Sequence, residues 1–382
     1  MKVLIAIAFL GMVNAYLYGR FNSWFKIQGC PSGFLAIVFP LFFAVQLLWP
    51  VLDIWMRESG GANIPLGLHD ILVNASFIVL GVFSCLIVYT LLADFAGLVA
   101  RIFLSDQQLI AFIRALIILP LVATAVNVVW GYSNTGKVAV VPVEIAIQNL
   151  PPAFEGYKIA QISDTHIGTN IDKDFAQMVV DQVNVLNADM VALTGDWADG
   201  FPLERKDAVA PFKRLRAPDG VYYVTGNHEY YWDAVGWENE ALQTGFHTLA
   251  NTHIMLNRGS EKLAIAGVSD PTSLSIPSTP PTNIGAALAG VPAGVPKILL
   301  AHQPVVVESA AKLNVDLVLS GHTHAGQYFP YTLIIHLFQK RTKGLYEVGP
   351  LQLYINRGTG FWGPPLRTGG LGEITLITLH CK

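Results

Sequence analysis

The sequence predicts an N-terminal α-helical membrane domain of about four spans, followed by an α/β domain. Three observations predict it. Apolar stretches crowd the first 130 residues, charge is concentrated beyond them, and after residue 156 short β-rich runs alternate with helical ones. Apolar residues make up 52% of the chain and charged residues 13%, too apolar a balance for an all-soluble protein of this size. Up to Trp130 there are six Lys or Arg and five Asp or Glu; 18 basic and 22 acidic residues lie beyond it. The net charge of −3 provides no basic footprint, so nucleic acid is not an expected partner. Cys30, Cys85 and Cys381 are too far apart to suggest a disulfide framework or a zinc knuckle.

The apolar stretches run Val3–Leu17, Phe34–Trp55, Ile71–Val99 and Leu109–Trp130. A hydrocarbon core about 30 Å thick needs about 20 apolar residues in a helix, and the last three reach that length. The first is shorter. It reads as a signal anchor or first span and not as a cleaved signal, because three spans follow and no small-residue cleavage site stands out. Pro40, Pro50 and Pro120 should kink spans, which a membrane tolerates. Arg114, inside the last stretch, reads as a snorkelling or bundle-facing charge. An external N-terminus puts Arg20, Lys26 and Arg101 in the inside loops and Lys2 and Arg57 outside. The basic bias then places the domain that follows on the external side.

Gly131–Gly136 (GYSNTG) reads as a linker, and residues 131–156 as linker plus entry strand, ahead of an α/β domain over 157–382. Candidate strands are Tyr157–Ile162, Met190–Thr194, Val221–Thr225, Leu263–Val268, Lys297–Ala301 and Val315–Leu319, with a final run at Gly344–Tyr346, Gln352–Asn356 and Glu373–Leu379. Candidate helices include Phe175–Leu186 and Val305–Lys312. Strands separated by helices imply an α/β sheet. Pro271–Pro296 reads as a long loop.

Five of these strands end in acidic, imidazole or amide residues. The tails are Ser163-Asp164-Thr165-His166, Gly195-Asp196-Trp197-Ala198-Asp199, Gly226-Asn227-His228-Glu229, His302-Gln303-Pro304 and Gly321-His322-Thr323-His324. Strand carboxyl ends are where open α/β sheets gather ligands. A set of Asp, His and Asn suits divalent ions such as Mn²⁺, Fe²⁺ or Zn²⁺. Two such ions about 3.5–4 Å apart can clamp a phosphoryl group and activate water, and a nearby histidine can protonate the leaving oxygen. Gly195, Gly226 and Gly321 can also be read as plain turn formers.

The ordered series D-x-H, GD-x-x-D, GNHE, a strand-end His and GH-x-H resembles the calcineurin-like metallophosphoesterase superfamily, over about Lys158–Leu379. GHTHAGQYFP and LYEVGPLQLYINRGTGFWGPPLR resemble the transmembrane YkuE and YaeI type of bacterial members. The resemblance implies a sandwich of two facing β-sheets flanked by helices, a multi-pass protein of the bacterial inner membrane, and two divalent metal ions as cofactor. It implies that Asp164, His166 and His324 bind one ion, that Asn227, His302 and His322 bind the other, and that Asp196 bridges them. His228 is implied as general acid or phosphate-binding histidine, oriented by Asp199. Glu229 belongs to the motif but receives no chemistry. The implied reaction is hydrolysis of a phosphoester or pyrophosphate bond.

Gly358-Thr359-Gly360-Phe361-Trp362-Gly363 matches G-x-G-x-x-G but runs into Pro364-Pro365 and not into a helix, so the dinucleotide reading fails. A glycine-rich loop lining a phosphate site is the reading kept. Asn356-Arg357 reads as closing a sheet edge. Tyr328–Gly344 carries an apolar run (Leu333, Ile334, Ile335, Leu337, Phe338) and a basic end (Lys340, Arg341, Lys343). That pattern suits an interfacial segment as well as a core-packing helix. The interfacial reading makes the substrate lipid-linked, and the family resemblance implies a phospholipid or a UDP-2,3-diacylglucosamine-like pyrophosphate. The alternatives are a general phosphodiesterase acting on soluble substrates and a membrane regulator whose phosphoesterase domain senses a ligand.

Overall fold

The computed structural model describes residues 2–60, 64–276 and 279–382, so residues 277 and 278 of the expected Pro271–Pro296 loop lie outside the described residues. The chain divides into two compact units. The first is Met1–Asn134 with Tyr328–Pro330 and Gly363–Thr368; the second is Thr135–Gln327, Tyr331–Trp362 and Gly369–Lys382.

The first unit is built from α1 (Lys2–Ile27), α2 (Leu35–Gln46), α3 (Leu48–Ser59), α4 (Leu66–Phe103), α5 (Asp106–Leu116) and α6 (Ile118–Tyr132). They form four segments long and apolar enough to cross a membrane: Leu4–Ile27, Leu35–Ser59, Leu66–Phe103 and Asp106–Tyr132. The helix breaks at Leu47 and Ile117 fall three residues before Pro50 and Pro120. Each proline lacks the N–H that would bond the carbonyl four residues back. At Pro50 that carbonyl is Gln46 O, and it accepts instead from Ser76 Oγ of α4 at 3.0 Å, the repair that membranes favour. Pro40 sits inside α2.

One expectation changes. The first apolar stretch was expected to stop at Leu17, but α1 continues to Ile27. Its last turns are held by neighbours: Arg20 pairs with Asp94 of α4, and Leu17, Phe21 and Trp24 join a buried cluster with Phe39 and Phe83. Arg114 donates from Nη2 to Ile27 O at 3.2 Å, so it closes an open carbonyl at the end of α1.

The second unit holds two six-stranded sheets. Its strands are β1 (Val138–Ile147), β2 (Lys158–Ile162), β3 (Met190–Thr194), β4 (Val221–Val224), β5 (His247–Thr248), β6 (Thr252–Arg258), β7 (Glu261–Gly267), β8 (Lys297–Leu300), β9 (Leu317–Ser320), β10 (Gly344–Val348), β11 (Leu351–Ile355) and β12 (Gly372–Cys381). The sheet orders are β1-β12-β2-β3-β4-β5 and β10-β11-β9-β8-β7-β6. β2, β3 and β4 are mutually parallel, with Ile159 opposite Met190 and Val191 opposite Val221. β7, β8 and β9 are likewise parallel.

The sheets face each other. Ile159, Ala192, Tyr222 and Val224 of one sheet share a buried cluster with Leu263, Ile265, Ile298 and Leu319 of the other. The alternate residues, such as Val191, Tyr223 and Ile374, pack outward with α7 (Lys173–Val185) and Phe212. Ala266, Leu299 and Val318 pack outward with Val307 and Ala310. Strands buried on both faces read as unbroken apolar runs, which is why the pattern located them. β5 and β6 were not foreseen, because HTLANTHIMLNR mixes polar and apolar residues without a clean period. α8 (Pro202–Val209), α9 (Asn227–Trp232) and α10 (Ala234–Thr244) were not foreseen either. The expected helix Val305–Lys312 is a 3₁₀ turn followed by a short α-helix, Val307–Ala311.

Candidate metal centre

The parallel strands end in loops whose backbone is bent by the motif residues. Asp164, His166, Asp196, His322 and His324 have φ between 47° and 74°. Side chains with a Cβ rarely take this left-handed region, and such strain gathers at functional sites. The motif glycines let these loops approach one another. A Cβ on Gly226 would sit 2.2 Å from Asp196 Oδ1, and one on Gly321 would sit 1.9 Å from Ser163 Oγ. Close approach, beyond mere turning, therefore requires glycine at both positions.

All nine residues singled out from the sequence come together. Asp164 lies under His322, whose backbone N–H donates to both Asp164 oxygens at 3.0 Å. Asp164 Oδ1 is 3.3 Å from His324 Nε2, and His324 Nε2 is 3.1 Å from His166 Nε2. Asp196 Oδ2 is 3.1, 3.7 and 4.0 Å from the Nε2 atoms of His302, His166 and His228. Asn227 Oδ1 is 3.1 Å from His302 Nε2 and 2.8 Å from His322 Nδ1. Three groups gather their donor atoms tightly enough for a shared ion: Asp164, His166 and His324; Asp196, His302 and His322; and His166, Asp196 and His228.

The donor set fits divalent ions. His302 Nδ1 faces the Thr194 carbonyl at 2.8 Å and, as its donor, leaves a lone pair on Nε2. That lone pair confronts two oxygens, Asp196 Oδ2 and Asn227 Oδ1, each at 3.1 Å. Acceptors that face each other when buried need a cation between them, either a proton or a metal. Burial opposes charge on His302, yet the Asp196 carboxylate outweighs it and holds the ring well above the usual histidine range. His322, buried and beside His302, is pushed down to about 3, which leaves a neutral ring able to ligate.

Asp199 does more than the sequence suggested. Its Oδ1 is 2.5 Å from His228 Nδ1, and its Oδ2 is 3.1 Å from His166 Nδ1. One carboxylate thus orients two rings, the usual outer-sphere partner of a ligating histidine. Against burial, Asp199 and then Asp196 raise His228 to about 9. Glu229, which had no assigned role, is fully buried. It accepts backbone N–H groups from Trp197 (2.7 Å), Gly226 (2.6 Å) and Asp196 (3.1 Å), and so ties the Asp196 loop to the loop carrying Asn227 and His228. Its presence in GNHE was the only sequence signal for this.

The glycine-rich loop braces the site. Thr359 N donates to Ser163 O at 2.8 Å and Gly360 N to Asp164 O at 3.0 Å. A Cβ on Gly360 would lie 2.2 Å from Thr165 O. Trp362 meets the His228 ring edge-on at 5.2 Å between centroids. Asn356 is buried and donates to Thr375 Oγ1 at 2.9 Å, and Arg357 pairs with Glu373 at 2.7 Å, which joins the two sheets at their edge.

Comparison with known proteins follows the same lines. A profile described as "Calcineurin-like phosphoesterase" matches residues 157–326. The chain is 34% identical over 317 residues to a Danio rerio "Transmembrane protein with metallophosphoesterase domain", covering 78% of this chain and 72% of that protein. The chain belongs to the calcineurin-like metallophosphoesterase family. As a member, it is a hydrolase of the metallophosphoesterase type. A Campylobacter jejuni metallophosphoesterase is 29% identical over 397 residues, covering 99% of this chain and 98% of that protein. The metallophosphoesterase YkuE of Bacillus subtilis is 32% identical over 239 residues, covering 60% of this chain and 81% of that protein. A bovine transmembrane relative is 34% identical and is spanned over 61% of its length. With the four apolar spans, these relatives make the protein a multi-pass membrane metallophosphoesterase.

Proposed function

We propose that the protein hydrolyses a phosphoester or pyrophosphate bond of a lipid-linked substrate at a centre of two divalent ions. In this reading residues 1–130 anchor the enzyme and residues 157–382 catalyse. Asp164, His166 and His324 would hold one ion, Asn227, His302 and His322 the other, and Asp196 would be shared by both. The single observation that carries the site is the Asp196 carboxylate, with three imidazole Nε2 atoms within 4.0 Å of one oxygen. When bound, the ions supply Lewis-acid polarisation of the phosphoryl group and activation of water. The chain's own residues do the rest. Asp199 takes the Nδ1 proton of His228 as a hydrogen bond, so Nε2 faces the centre as the proton donor to the leaving oxygen. Asp199 also fixes His166. Glu229 holds the two ligand loops in register. Trp362 shields one edge of His228.

The lipid-linked substrate is supported by the segment that follows His324. It forms a helical turn, Tyr331–Ile334, and a 3₁₀ turn, Ile335–Leu337. Leu333, Leu337 and Phe338 are 65%, 80% and 76% exposed, whereas Ile334 and Ile335 are half-buried. Lys340 and Arg341 share Glu308, and Lys343 is exposed. Exposed large apolar side chains beside basic ones suit a bilayer interface. Tethering by four spans raises the local concentration of lipid. Arg20, Lys26 and Arg101 against Arg57 and Lys2 support an external catalytic side.

The test compares acylated with deacylated forms of one phosphodiester, using wild type and a Leu333→Ser, Leu337→Ser, Phe338→Ser variant. Preference for the acylated form, lost in the variant, supports the reading. Equal turnover of both forms by both proteins leaves a general phosphodiesterase.

A further inference from the structure

The helical unit contains a cavity of about 230 Å³ whose wall includes Arg20, Trp24, Asp94, Gly97, Arg101 and Ile117. Its charges do not balance, since two guanidinium groups face one carboxylate. Asp94 is already satisfied, pairing with Arg20 and accepting from Tyr16 Oη at 2.5 Å. Arg20 is held in place by that pair and by the Trp24 ring, 5.5 Å from its guanidinium carbon. Its Nε is nevertheless buried with no hydrogen-bond partner. Arg101 is exposed and has no ion pair among the described residues. Gly97 leaves room, because a Cβ there would meet nothing within 4 Å.

The cavity's depth suits a headgroup. Arg101 is two residues from the end of α4 at Phe103, and Arg20 is seven from the end of α1 at Ile27. With two antiparallel crossings, α1 and α4 run in the same direction, so both ends reach the same leaflet. At 1.5 Å per residue, Arg20 lies about 10 Å below its helix end, a depth from which an arginine reaches the phosphate layer. Basic pockets between spans are the usual seats of anionic headgroups. Ile117 and its apolar neighbours offer a wall for a chain.

We propose that this cavity, framed by Arg20, Arg101 and Trp24, binds a phosphate anion, carried by an anionic phospholipid of that leaflet or free in solution. Arg20, pre-set by Asp94 and Trp24, and the exposed Arg101 close on the phosphate oxygens as two planar donor forks. The site is separate from the metallophosphoesterase centre in both residues and chemistry.

The test uses the full chain in nanodiscs of equal phosphatidylglycerol and phosphatidylcholine, with retained lipid counted by native mass spectrometry. The proteins are wild type, Arg101→Gln, an Arg20→Gln, Asp94→Asn double variant, and Lys26→Gln, an exposed basic control outside the cavity wall. Wild type should retain phosphatidylglycerol selectively. Arg101→Gln should lose about fivefold of that selectivity, the effect of one basic residue beside anionic lipid, ~1 kcal/mol. Arg101 is exposed, so its neutralisation leaves the bundle intact. Lys26→Gln should match wild type. Displacement of the lipid by millimolar inorganic phosphate assigns the site to the free anion, and retention against it assigns the site to the headgroup. Either supports the proposal. Unchanged selectivity in Arg101→Gln and in the double variant overturns it, as does an equal loss in Lys26→Gln.

Discussion

Ile37 in α2 and Val185 at the end of α7 are exposed to nearly the same degree, 73% and 74%, yet the two positions answer to different solvents. Around Ile37 the helices turn apolar side chains outward and keep polar ones inside: Asn14, Gln46 and Ser76 are all buried. Around Val185 the order is the ordinary one. Trp197, fully buried in the sandwich, sits among Phe212, Tyr223, Trp237 and Phe246 with ring centroids 5.4–5.8 Å away. Exposure alone therefore predicts nothing about tolerance. A lipid-facing leucine and a water-facing one look alike by accessible area, and only the surrounding medium tells them apart.

The sharpest separation of the two regions is chemical. Asp196→Asn should abolish turnover and lower bound metal, because the carboxylate proposed to serve both ions loses its charge. Asp106→Asn, an exposed acid in the first turn of α5, should leave turnover at the wild-type value. Steady-state kinetics with metal analysis reads both, and full turnover in Asp196→Asn at saturating metal would remove the two-metal assignment. Next in size, His228→Ala should cut turnover by about 10²–10⁴-fold while metal content stays with wild type. A metal loss matching that of His322→Ala would move His228 into the ligand set, an alternative that its grouping with His166 and Asp196 keeps in view.

Stability divides the regions too. Trp197→Ala should destabilise the sandwich by about 3–5 kcal/mol, the usual cost of emptying a large buried aromatic site, read by denaturant unfolding. Ile37→Asp, two residues into its span, should weaken membrane insertion by less than the about 2.5–3.5 kcal/mol of an acid at a helix centre, whereas Val185→Asp should stay within about 0.5 kcal/mol. Equal tolerance at the two positions would mean that α2 is not lipid-facing. A smaller loss than at Trp197 is expected at Ser76→Ala. It leaves the Gln46 carbonyl freed by Pro50 without its donor, and interhelical bonds in membranes average about 0.6 kcal/mol. Thermal unfolding in detergent should show a shift of that order, and Ser84→Ala, whose hydroxyl bonds within its own helix and to Tyr328, provides the reference.

Much of the architecture was legible because two strong patterns do not depend on partners. Apolar runs long enough to cross a bilayer located the spans, and short β-rich runs located nine strands of the sandwich. β5 and β6 escaped because their partly exposed residues carry no period. The end of α1 escaped because the apolar run stops at Leu17, and the partner that keeps Arg20 in the bundle, Asp94, lies 74 positions away. The residues of the candidate centre were legible as ordered motifs at strand ends, but their distances were not.

Composition and local spacing thus establish which segments meet lipid, which form strands and which residue types stand at the strand ends, since each depends on neighbours a few positions apart. Partnerships across the fold are another matter. That Glu229 staples two loops, that Asp199 serves both His166 and His228, and that Gly360 leaves no room for a Cβ beside the Thr165 carbonyl follow from segments far apart in the chain being brought into contact. Contacts of that range leave no periodic trace in the chain, because they are set by how the two sheets stack and where their strands end.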